Sequence, residues 1–184
     1  MNVTKPVIYV ITCGASAADG IYEFIAHLHA ADWRACVIAT PMGAQFVDVE
    51  RLRATTGHPV RTEYKTPDAP DILPPADLFV VAPATFNTVN KIANGISDTL
   101  AVGLLCEGLG SEKPVIMVPW MNRALASHGA YRRSLALLRE EGVQFVLTNR
   151  TNPEAAATED HEKFPWGELL EAVSRVRSLL TEFA

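Results

Sequence analysis

Short apolar runs rich in β-branched residues recur along this chain, and each gives way to a longer stretch whose apolar positions return every three or four residues. The runs are VIYVITC (7–13), RACVIAT (34–40), LFVVA (78–82), PVIMVP (114–119) and VQFVL (143–147). The helical stretches cover 17–31, 42–54, 85–98 and 122–141, and a last amphipathic one covers about 167–182. This alternation predicts a doubly wound α/β fold with a parallel sheet between helices, of the flavodoxin-like or Rossmann-like kind. Runs that are apolar at every position predict strands covered on both faces. The length of 184 residues, without internal repeat, predicts a single domain over 1–184.

Two segments interrupt the rhythm. Residues 63–77 hold four prolines, which forbid a long helix. Residues 148–166 are polar and are expected to form a flexible loop before the C-terminal helix, of the kind used as lids or binding loops.

Composition narrows the function classes. The hydrophobic share of 48% is enough for a real core, yet no run reaches the roughly 20 residues of a membrane span. MNVTKP leads into the first strand without the pattern of a secretory signal, so a cytoplasmic protein is expected. Cys13, Cys36 and Cys106 are odd in number and widely spaced, which predicts reduced thiols and neither a disulfide frame nor a metal site. A net charge of −5 with scattered basic residues leaves no stripe for nucleic acid.

In an open parallel sheet the loops after the strands carry the ligand. After the first, CGAS offers Gly14 for close backbone approach and Ser16 as a hydroxyl near a helix start, a pattern that suits phosphate or simple capping. It is not the G-x-G-x-x-G fingerprint of dinucleotide sites. After the second, Thr40 can cap or contact a ligand. After the third, PATFNT places Thr85, Asn87 and Thr88 at one helix mouth, more polar atoms than a single cap uses. After the fourth, PWMN sets Met121 beside Asn122 at another helix start.

Together CGAS, TGHPV (56–60), PATFNT and PWMN, spread over most of residues 5–147, resemble the flavin-containing cysteine decarboxylases. These include phosphopantothenoylcysteine decarboxylase and the lantibiotic peptide decarboxylases. The resemblance implies FMN, with Gly14, Ser16, Thr40, Ala84, Thr85, Asn87 and Thr88 as its binding residues. It also implies a homotrimer or a multiple of it, with the flavin ring near a subunit interface. The implied reaction is oxidation of a small thiol acid or peptidyl cysteine, whose thioaldehyde-like product loses carbon dioxide. Asn122 would hold the substrate carboxylate and Met121 would pack near the flavin.

The chain departs from that pattern in three places. The family's His falls about seven residues before the central strand's Ala-Asp-Leu, where this chain has Ala69 with Asp68 beside it. Asp68 is the stand-in to test, and His58 and His128 are the histidines to place. A Met-Trp pair commonly follows the asparagine motif, and here Leu125 and Ala126 stand instead. No cysteine occurs in 148–166, where the pantothenate enzymes use one. A flavin prenyltransferase, whose Ser-Gly-Ala-Ser loop CGAS also resembles, and a non-catalytic FMN-binding regulator are the alternative readings.

Overall fold

The computed structural model describes residues 5–66, 68–70, 72–155 and 163–182. Five parallel strands form one sheet in the order β2-β1-β3-β4-β5. They are β1 (Val7–Thr12), β2 (Arg34–Ala39), β3 (Leu78–Ala84), β4 (Val115–Pro119) and β5 (Gln144–Phe145). The helices are α1 (Ile21–Ala30), α2 (Val49–Thr56), α3 (Phe86–Ala93), α4 (Leu100–Gly110), α5 (Arg123–Ala126), α6 (Gly129–Glu140) and α7 (Trp166–Glu182). The doubly wound α/β expectation holds.

Alternation along β1 divides the core into two layers. Val7, Tyr9 and Ile11 pack with Ile92, Leu105, Tyr131 and Leu135 from α3, α4 and α6. Ile8 and Val10 pack with Phe24, Leu28, Leu52 and Leu169 from α1, α2 and α7. Every residue of β1 is buried, which explains a run without polar alternation.

Several predicted helices are shorter than their periodic stretches. The 17–31 stretch begins as a 3-10 turn, Ser16–Gly20, and the 42–54 stretch as Gly43–Gln45 before Asp48 caps α2 by accepting from the Arg51 N–H at 3.0 Å. The 85–98 stretch ends early because Gly95 takes a left-handed φ of 65° and turns the chain into α4. The 122–141 stretch breaks at Ser127 and His128 into α5 and α6.

Within 148–166, residues 148–155 are a series of turns with Thr151 fully buried, 163–165 lead into α7 at Trp166, and 156–162 lie outside the described residues. Among the described residues no helix is long and apolar enough to cross a membrane.

Candidate functional site

In a sheet of this order the chain reverses its winding direction between β1 and β3, and open sheets bind ligands at the carboxyl edge of such a gap. Loops from three strands meet there. Gly14 follows β1, Thr40 and Met42 follow β2, and Thr85, Asn87 and Thr88 follow β3; all line one cavity of about 480 Å3. That size lies within the range of about 300–1,000 Å3 usual for small-molecule sites. Lys91 of α3, with Thr99 and Val102 at the start of α4, completes the wall. The loops are tied together below it. The Cys13 N–H donates to Pro83 O at 3.2 Å, and the Thr40 N–H donates to Thr12 O at 3.0 Å.

Polar groups at the mouth of α3 are not spent on capping. Thr85 stands at the N-cap position with an extended backbone, φ −79° and ψ 160°, yet its side chain accepts from no helical N–H. Its Oγ1 lies 3.0 Å from Thr88 Oγ1, which lies 3.3 Å from Cys13 Sγ. Asn87 is exposed beside them. Thr99 at the mouth of α4 likewise makes no side-chain cap. Two helix starts with orphan N–H groups, each at the positive end of its dipole, therefore border one cavity. Lys91 adds a cation held by Asp98. An anion with a polyol attached matches this donor set.

Close approach is built into the backbone. A Cβ on Gly14 would lie 2.3 Å from Met42 Cγ, and one on Gly43 would lie 2.3 Å from Thr12 O. Thr12 Oγ1 is buried without a hydrogen-bond partner among the described residues. Burial pushes the Cys13 thiol above its ordinary value, and hydrogen bonds from Thr88 and Thr85 offset that only in part. It is a packed thiol rather than a nucleophile.

The cavity collects Gly14, Thr40, Thr85, Asn87 and Thr88 from the expected flavin residues. Ala84, buried at the end of β3, and Ser16, exposed on the 3-10 turn, are not among the residues that line it. Thr40 also accepts from the Gly43 N–H at 2.9 Å.

The Pro-Trp-Met-Asn turn lies at the end of β4, outside this lining. Met121 is buried, and the exposed Asn122 caps α5 by accepting from the Leu125 N–H at 2.9 Å. Asp68 is exposed in the loop before β3 and borders no described cavity.

His128 caps α6, its Nδ1 accepting from the Ala130 N–H at 3.1 Å, and its ring meets Phe86 edge-on at 5.7 Å. His58 lines a different cavity, beside α2, where burial first and the Arg34 guanidinium second lower its pKa.

Lys91, Met42, Thr99 and Val102 escaped sequence reasoning. The sign available for Thr99 was its place before an apolar run, the usual N-cap position. Gly103, Gly108 and Gly110 obscured the helix that follows it.

Residues 1–178 match the family model described as Flavoprotein. The chain belongs to the Flavoprotein family. This flavoprotein is 33% identical over 116 residues to the coenzyme A biosynthesis bifunctional protein CoaBC of Bacillus subtilis (strain 168), across 60% of this chain and 28% of that one. It spans only 28%, 19% and 37% of the first three curated relatives it matches.

Among solved structures it is similar to the FMN-dependent cysteine decarboxylase TvaF from thioviridamide biosynthesis, with 32% identity and a TM-score of 0.69 over 77% of this chain and 90% of that one. It is also similar to the epidermin biosynthesis protein EpiD from Staphylococcus aureus, with 27% identity and a TM-score of 0.70 over 85% and 86% of the two chains.

Proposed function

We propose that this flavoprotein holds FMN in the cavity over the β1/β3 gap and decarboxylates a substrate that ends in a cysteine-like thiol and carboxylate. The observation that carries the reading is the pair of uncapped helix starts, at Thr85 and Thr99, bordering one cavity that Gly14 and Thr40 also line. The phosphate of FMN fits those N–H groups, and its ribityl hydroxyls fit Thr40, Asn87 and the Thr85–Thr88 pair. Pro41, Met42 and Val102 give the same cavity an apolar side. When bound, FMN supplies an electron sink for oxidation of the thiol.

The chain's own part is to bind and orient. Asn122 Oδ1 is engaged by the Leu125 N–H, which sets the amide and makes its NH2 the group that donates to the substrate carboxylate. Met121 packs beneath that turn. Burial keeps Cys13 protonated beside the flavin cavity, so it does not compete with the substrate thiol. In this reading the protein is cytoplasmic and assembles as a homotrimer or a multiple of it. Exposed Tyr64, Ile72 and Ile96 supply apolar surface for such an interface.

The test begins with an absorbance spectrum of the purified protein and mass spectrometry of what it releases on denaturation. About one FMN per chain, followed by flavin bleaching and loss of carbon dioxide from a cysteine-ended peptide, is the expected result. A colourless protein that takes up no added FMN overturns the cavity assignment. FMN without bleaching leaves a non-catalytic flavin carrier, and a prenylated flavin formed from a prenyl phosphate identifies a prenyltransferase.

A further inference from the structure

Arg123, the residue after Asn122, spends its guanidinium on a loop far away in sequence. Nη1 donates to Asn149 O at 2.7 Å and to Asn152 O at 3.0 Å, with Arg150 O at 3.5 Å, and Nη2 donates to Ala155 O at 2.6 Å. A planar fork that spreads its donors over two nitrogens suits arginine, whereas a lysine ammonium gathers its donors on a single atom. The loop is shaped to converge on it. The Asn152 N–H donates to Thr148 O at 2.8 Å, the Ala155 N–H donates to Asn152 O at 3.2 Å, and the Thr148 N–H donates to Thr151 Oγ1 at 3.1 Å. From below, the Tyr131 hydroxyl donates to Thr151 O at 3.0 Å.

A second tie runs through the residue before Met121. The Arg150 guanidinium sits 4.9 Å above the Trp120 ring, and Phe164 packs edge-on to the same ring at 5.3 Å. The Pro-Trp-Met-Asn turn is therefore fastened to 148–155 on both sides of Met121–Asn122. Neither Trp120 nor Arg123 lines the cavity at the β1/β3 gap.

We infer that Arg123 is a positioning residue: it clamps 148–155 to the Asn122 turn, and the clamped pair forms the wall that sets the affinity for the substrate carboxylate. The inference rests on the substrate role proposed above for Asn122. It assigns Arg123 no contact with flavin or substrate.

Two variants test it, Arg123→Gln, which abolishes the fork, and Arg123→Lys, which keeps charge and reach but serves fewer carbonyls. Three readouts are taken on the purified full chain: FMN content, the rate at which trypsin releases a fragment ending at Arg150, and KM and kcat for a cysteine-ended peptide. The expected result is unchanged FMN content, tryptic cleavage at Arg150 faster by about tenfold, and KM raised about tenfold with kcat changed less than about threefold, the lysine variant falling between.

Unchanged cleavage overturns the clamp. Faster cleavage with unchanged KM overturns the substrate wall. If Arg123→Gln does not fold, the lysine variant decides on the same criteria. A parent that binds FMN but turns over no such peptide defeats the proposed function and the substrate wall with it, while the trypsin rates still judge the clamp.

Discussion

At the scale of single residues the site separates groups that hold the fold from groups left over for a ligand. Asn87 is exposed at the first turn of α3, outside the Thr85–Thr88 hydroxyl pair. Asn87→Ala is therefore expected to change the unfolding free energy read from urea titration by less than about 0.5 kcal/mol, as surface changes do, while weakening FMN binding about tenfold. Equal affinity for FMN in parent and variant would remove Asn87 from the cavity's work. Asn122 differs because it already caps α5. Asn122→Ala is expected to cost about 1 kcal/mol of stability, keep FMN, and lose substrate-driven bleaching. Bleaching at the parent rate would leave Asn122 a cap and nothing more.

Whole elements depend on close contacts that only glycine permits. A Cβ on Gly20 would lie 2.1 Å from Trp166 Nε1, and Trp166 opens α7 with its ring 5.3 Å from Phe24. Gly20→Ala is expected to cost about 1–3 kcal/mol by overpacking, seen as a lower urea midpoint. No change would mean that α7 can shift without losing its seat on α1. Such contacts mark the limit of what sequence shows. The apolar runs revealed β1 to β4 because a strand buried on both faces needs few polar positions, while the half-buried β5 showed through its apolar neighbours Val143, Val146 and Leu147. The same reasoning overran the helices. Periodicity continues through the NGISD stretch (94–98), while the left-handed turn at Gly95 depends on where α4 must pack. The cavity was legible as loops following strands, since Gly14, Thr40, Thr85, Asn87 and Thr88 all line it. Lys91, Met42 and Thr99 were not, because their place in the cavity follows from how α3, α4 and the loop after β2 meet. Asn122 was legible as a motif, but its tie to 148–155 through Arg123 joins segments more than twenty residues apart.

Across the whole molecule, titratable groups that folding desolvates, the half-buried His58 and the buried thiols, act on stability at both ends of the pH range. His58 has its pKa lowered, chiefly by burial, so its contribution is present above the ordinary value of 6.5 and is lost as pH falls through its folded value. Cys36 works in the opposite sense. It lies buried in β2, where desolvation pushes its thiol from 9.0 to about 11, and Arg34 offsets this only in part. In the unfolded chain the thiol ionises near its ordinary value, while in the folded chain it keeps its proton. Above that value the unfolded state binds fewer protons, so stability falls as pH rises. The contribution is complete below pH 9.0 and is lost on approach to pH 11. Cys13 and Tyr131, both raised by burial, act in the same direction. The urea midpoint of the parent is accordingly expected to be lower at about pH 10.5 than at about pH 8, with the fall lying above pH 9.0. In Cys36→Ala the drop is expected to shrink without vanishing, since Cys13 and Tyr131 remain, although the variant starts lower for want of a buried side chain. An undiminished drop in Cys36→Ala would show that the thiol ionises alike in both states, and that alkaline loss of stability begins elsewhere in the core.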